Sequence, residues 1–155
     1  MEGIDTVLHL AGSASPEDCP VYPHHLPRPD SFYGVSKVFG ETLGRFYQEE
    51  YGLSFISLRI GWMSGDPSLA DLDVLRAMWL SDGDTVRVFR CAIEAEVDFG
   101  LYYAISDNPN RRWDLTNTML ELGYRPQDSW TDVAPDGEHV VEGGEPVPDD
   151  WPKGS

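Results

Sequence analysis

Tyr33 and Lys37 stand four residues apart in the run Tyr33-Gly-Val-Ser-Lys37, one helical turn, so on a helix both side chains leave the same face. A free phenol titrates at about 10, and a neighbouring cation favours the phenolate. A tyrosine so placed is a usable base for taking a hydroxyl proton at neutral pH. The spacing alone is undemanding, since any amphipathic helix with a Tyr and a Lys one turn apart meets it. His24 and His25, with Cys19 nearby, are a second cluster of reactive types. Adjacent histidines point in different directions and show no fixed ligand spacing, so this stretch reads as a surface loop and no metal is expected. Asp149 and Asp150 lack the spacing of a calcium loop. Cys19 and Cys91 form no CxxC pair and read as reduced thiols.

The elements around the pair follow from periodicity. Asp5 to Ala11 is a short, largely apolar, β-favouring run closed by Gly12, which fits a buried strand entering a turn. Residues 13 to 32 contain Pro16, Pro20, Pro23, Pro27 and Pro29, which forbids a regular helix. From Ser31 onward Phe32, Val35, Val38, Phe39, Leu43, Phe46 and Tyr47 recur every three or four residues, the signature of an amphipathic helix. Ser31 or Asp30 serves as its N-cap and Gly52 as its stop. Leu53 to Ile60 reads as the next strand, and the strand, helix, strand order predicts a parallel sheet. Leu72 to Leu80 suggests a short helix. Ser81 opens another, with Val86, Val88, Phe89, Ala92 and Ile93 mostly toward the core. Leu101 to Ile105 is a third strand, and Thr116 to Leu122 a last short helix closed by Gly123. Residues 1–128 thus form one α/β domain, and residues 129–155, acidic and rich in Pro and Gly, form a tail that is flexible or loosely docked.

Composition narrows the function classes. The chain has 155 residues, with 27 acidic against 11 basic side chains and a net charge of −16. Such a surface repels nucleic acid and anionic membranes, so neither is expected as a partner. Lys37 and Lys153 are the only lysines; many carboxylates with few lysines fit a halophilic protein in a salt-rich cytoplasm. No stretch approaches the roughly eighteen apolar residues of a membrane span, and Met1 is followed by an acidic residue rather than a signal segment. A cytoplasmic protein is expected.

The stretch from Leu26 to Arg45, LPRPDSFYGVSKVFGETLGR, closely resembles the active-site helix of the extended short-chain dehydrogenase/reductase family, the NAD-dependent epimerase/dehydratases. Leu58-Arg-Ile-Gly61 resembles that family's strand end beside the nicotinamide, and Ala77-Met-Trp-Leu-Ser81 its segment near the sugar. Tyr103 to Asn108 and Leu122 to Asp128 resemble its C-terminal region, and His9-Leu-Ala-Gly12 its strand-to-loop element against the cofactor ribose. The likeness runs over about residues 5 to 128 and is greatest to uronate dehydrogenases and to haloarchaeal NAD-dependent glucose-6-phosphate dehydrogenases.

The resemblance implies a partial Rossmann-like parallel sheet flanked by helices, with NAD as cofactor. The reaction it implies is oxidation of an aldose, such as glucose-6-phosphate or a hexuronate, at C1 to the lactone. Tyr33 would take the hydroxyl proton, and Lys37 would lower the phenol pKa and hold the nicotinamide ribose. Leu10, Ala11, Gly12 and Ile60 would join them around the cofactor, and Arg76, slightly offset from the family's arginine, would meet the sugar's anionic group.

The sequence departs from the family in two further ways. It contains no GxGxxG or GxxGxxG turn for the pyrophosphate, which implies a shortened form lacking the glycine-rich half. Between Gly12 and Tyr33 the proline-rich stretch leaves no counterpart of the family's hydrogen-bonding serine; Ser13, Ser15, Ser31 and Ser36 are the remaining donors. The alternative reading is therefore an inactive paralogue or fragment acting as a binding or oligomeric scaffold. A homo-oligomer built on the helix after Ser31 is expected, with Gly40 and Gly44 as points of close approach.

Overall fold

In a computed structural model of the chain, residues 6–9, 21–63, 66–67 and 73–133 are described. Three parallel strands, β1 (Thr6–His9), β2 (Phe55–Ile60) and β3 (Phe99–Ala104), lie in the order β1-β2-β3. Thr6 stands opposite Phe55 and Phe55 opposite Phe99, so β2 is the central strand. All six of its residues are buried, as expected for a parallel strand covered on both faces.

Helix α1 (Phe32–Tyr51) joins β1 to β2. Ser31 caps it, its Oγ accepting from the Gly34 N–H at 3.2 Å. Gly52 ends it in the left-handed region at φ 68°, its N–H reaching the Gln48 carbonyl, a conformation glycine adopts without a Cβ penalty. Helices α2 (Asp73–Ala77) and α3 (Asp82–Glu94) separate β2 from β3, and α4 (Thr116–Glu121) follows. The expected α/β class, parallel sheet and flanking helices are all present.

Alternation along the strands divides the core in two. Ile56, Leu58, Ile60, Tyr102 and Ala104 point to the side of Leu80, Val88, Ala92 and Tyr124. Tyr103 and Ile105 point the other way, toward Val21, Trp113 and Leu115. One expectation about helix faces changes. On α3, Val88 and Ala92 are fully buried, but Val86 is 69% and Ile93 63% exposed; seven residues apart, they share the solvent side.

On α1 the apolar stripe faces away from the sheet, with Phe32, Val35, Phe39, Leu43 and Phe46 all exposed, while the buried residues are Glu41 and Gly44. The sheet explains this orientation. Ser57 and Arg59 occupy the β2 face under α1 and need a carboxylate, and a Cβ on Gly44 would collide with the Phe55 ring. Gly44 is thus used within the subunit. Trp130, on the tail side of residue 128, is 1% exposed in a 3-10 turn, Trp130–Asp132. No helix among the described residues is long and apolar enough to cross a membrane.

Candidate active site

Helix α1 runs antiparallel to β2. Gly44 packs on Phe55 at the start of the strand, and Glu41 bonds Ser57 and Arg59 further along it. Lys37 and Tyr33, one and two turns nearer the helix start on the side that carries Glu41, therefore stand at the carboxyl end of the sheet, where open α/β sheets bind ligands. The Lys37 ammonium lies over the Tyr33 ring, 4.9 Å from its centre. Tyr33 is 50% exposed and Lys37 partly so, which leaves both within reach of a ligand. The preceding loop closes on the helix start, where Pro29 would touch a Cβ placed on Gly34 at 3.1 Å.

A buried ion pair holds α1 to the sheet at this height. Arg59 Nε and Nη2 donate to the two Glu41 carboxylate oxygens at 2.8 and 2.9 Å, and Ser57 Oγ donates to the first at 3.3 Å. Arg59 Nη1 also donates to the Pro23 carbonyl and the Tyr103 hydroxyl oxygen, each at 3.3 Å. One guanidinium thus ties the loop before α1, the helix and two strands together. Burial opposes its charge, but the Glu41 hydrogen bonds and field more than offset that, so the Arg59 pKa lies above its ordinary value. Burial in turn raises the Tyr103 phenol, against the pull of Arg59.

The remaining expected site residues are placed as follows. Ile60 is 5% exposed and packs in the core on the α3 side of the sheet, so its side chain points away from α1. Arg76 lies on α2, its Nη1 3.8 Å from an Asp73 carboxylate oxygen and its guanidinium carbon 5.3 Å from the Trp130 ring centre. The segment after it is fastened to the end of β2, because the Trp62 N–H donates to the Met78 carbonyl and the Leu80 N–H to the Trp62 carbonyl. Leu10, Ala11 and Gly12 lie outside the described residues, as do Ser13 and Ser15. Ser31 is occupied as the helix cap, and Ser36 donates to the Tyr33 carbonyl. Tyr22 stacks on His24 and both rings meet His25 edge-on, and no group of metal-ligating side chains occurs among the described residues.

A cleft of 320 Å³ opens beside the start of α3. Trp79, Ser81, Asp82, Asp128 and Asp132 are among its lining residues. Its wall is structural: buried Asp84 accepts from Arg87 Nη1, the Ser106 hydroxyl and the Gln127 and Asp128 N–H groups at 2.6 to 3.1 Å. Asp128 takes the Ser81 hydroxyl at 2.5 Å and Arg87 at 3.0 Å. The Ser81 hydrogen bond, joined by that of Arg87, holds its carboxyl below the usual range. Sequence reasoning missed the Glu41–Arg59 pair and the Asp84 hub. A charged residue inside the apolar run 53–60 was the signal for the first; nothing local marked the second.

No protein-family model matches the chain. Over 128 residues it is 38% identical to the NAD-dependent glucose-6-phosphate dehydrogenase of Haloferax volcanii, covering 77% of this chain and 49% of that one. Over 113 residues it is 47% identical to the L-arabinose 1-dehydrogenase (NAD(P)(+)) of the same organism, covering 66% and 44%. The crystal structure of glucuronic acid dehydrogenase from Chromohalobacter salexigens superposes with a TM-score of 0.72 at 27% identity, covering 87% of this chain and 52% of that one. The chain thus spans about half the length of the curated relatives it matches. With its parallel sheet and the Tyr33–Lys37 helix at the carboxyl edge of that sheet, the chain belongs to the extended short-chain dehydrogenase/reductase family.

Proposed function

We propose that this chain forms the proton-transfer half of an NAD-linked sugar dehydrogenase that oxidises an aldose at C1 to its lactone. The observation that carries the reading is the accessible Tyr33 phenol with the Lys37 ammonium over its ring at the carboxyl end of a parallel sheet. The residues present suit the nicotinamide end of NAD. Lys37 offers N–H donors to a ribose diol, Tyr33 presents its hydroxyl beside it, and the sequence has no glycine-rich turn for the pyrophosphate. When bound, NAD supplies the hydride acceptor. Tyr33 accepts the proton of the sugar's C1 hydroxyl, and Lys37 steadies the ribose. Arg76 pairs with a carboxylate or phosphate on the sugar.

Reduction of NAD with glucose-6-phosphate, glucuronate and arabinose tests the reading. Tyr33→Phe is expected to lower the rate by about a hundredfold to ten-thousandfold, the usual worth of a positioned acid–base group. Unchanged turnover in that variant, or no NAD binding at millimolar concentration, would overturn it.

The exposed stripe Phe32, Val35, Phe39, Leu43 and Phe46 supports a homodimer packed along α1. It is a surface without charge on a chain of net charge −16, where two copies meet without bringing carboxylates together. The acidic composition supports a salt-rich cytoplasm as the working environment, in which stability rises with KCl.

A further inference from the structure

The structure shows what holds Arg76. Its guanidinium carbon stands 5.3 Å from the centre of the Trp130 ring, and its side chain is 14% exposed. Trp130 is itself buried, and its backbone N–H donates to Asn108 Oδ1 at 3.1 Å. The same amide's Nδ2 donates to the Trp79 carbonyl at 2.6 Å and to the Ala77 carbonyl at 3.4 Å. One buried side chain, 2% exposed, therefore grips both the backbone that carries the indole and the segment that carries the guanidinium.

This arrangement has a chemical use. An arginine held over an aromatic ring is attracted to the ring through its charge, and its N–H groups still point outward in the guanidinium plane, where they can meet a carboxylate or phosphate. A flexible arginine must first be ordered, and the indole together with the Asp73 carboxylate already restricts this one.

We propose that Trp130 and Asn108 are positioning residues for Arg76, so that the turn just after Asp128 sets the affinity of the chain for sugars bearing an anionic group. The proposal rests on the reading that Arg76 meets the substrate.

The test is calorimetric titration of the full chain with glucuronate, glucose-6-phosphate and uncharged glucose. Wild type is compared with Arg76→Met, Trp130→Phe, Trp130→Leu and Asn108→Ala, each with its melting temperature recorded. Trp130→Leu and Asn108→Ala are expected to weaken the anionic sugars by about tenfold while Trp130→Phe, which keeps a ring face, stays within about threefold of wild type. The tighter of the two anionic sugars identifies the group as carboxylate or phosphate. If Arg76→Met abolishes binding and Trp130→Leu binds as wild type does, the positioning role is wrong and the reading of Arg76 stands. If Trp130→Phe is as weak as Trp130→Leu, the indole acts by volume and the proposal is overturned. If wild type discriminates no anionic sugar from glucose, or Arg76→Met binds unchanged, the reading of Arg76 falls and this proposal with it.

Discussion

Arg59→Met removes one partner of a buried ion pair and leaves the other in place. The Glu41 carboxylate, 7% exposed, would lose guanidinium bonds of 2.8 and 2.9 Å and keep only the Ser57 hydroxyl at 3.3 Å. The Tyr103 hydroxyl and the Pro23 carbonyl would each lose a donor as well. Stranding a buried charge costs about 3–5 kcal/mol, a large part of the roughly 5–15 kcal/mol that holds a domain folded. At this chain length that corresponds to a fall in melting temperature of roughly 10 °C. The double variant Glu41→Leu/Arg59→Met removes both charges. It should recover all but about 1 kcal/mol, because an apolar pair of similar volume replaces two desolvated ions. Urea denaturation of wild type, single and double variants, with the slope checked for two-state behaviour, measures both quantities. A single variant within about 1 kcal/mol of wild type, or a double variant no more stable than the single, would refute the view that this pair fastens α1 to the sheet.

Three further outcomes are expected. Gly61→Ala places a Cβ into the Met78 carbonyl oxygen and the Ile105 side chain; since a backbone oxygen cannot swing aside, the cost should reach about 2 kcal/mol or more by denaturant midpoint. The Asp128 carboxyl has a folded-state pKa below its ordinary 3.8. Its contribution to stability is thus full above that value and is lost as pH falls through the lower folded value, so Asp128→Asn should flatten the acid limb of a melting-temperature profile. A profile that keeps the wild-type slope would contradict the assignment. Phe39→Glu with Leu43→Lys on the exposed side of α1 should shift the light-scattering mass from two chains to one, and a wild-type mass of one chain would rule out the dimer.

The strands and α1 were legible because their signals are local. The apolar run from Leu53 to Ile60 contains β2, and Ser31 and Gly52 bracket α1 as its caps. The orientation of α1 was not legible from its own pattern. A stripe of Phe32, Val35, Phe39 and Leu43 at helical spacing shows that the helix has an apolar side, but not which surface covers it. That answer lies on β2, where Ser57 and Arg59 alternate with Ile56, Leu58 and Ile60. Alternation sends the polar pair to one face of the sheet, and an arginine buried there requires a carboxylate, which among the inward positions of α1 is Glu41. Read together, the two segments select this orientation; read separately, neither does.

The candidate site divides along the same line. Tyr33 and Lys37 share a face by spacing alone, and their place at the carboxyl edge follows from strand, helix, strand order, since a helix that returns the chain to a parallel strand must begin there. The surroundings of Arg76 depend on residues 32 and 54 positions further along the chain, Asn108 and Trp130, for which no periodicity exists. Composition pointed away from Trp130 because the segment from residue 129 is acidic and rich in glycine and proline on average. An average does not decide what one indole does. Burying a single large aromatic ring recovers free energy of the same order as ordering two or three residues of turn costs, and the 3-10 turn Trp130–Asp132 carries that ring to the guanidinium.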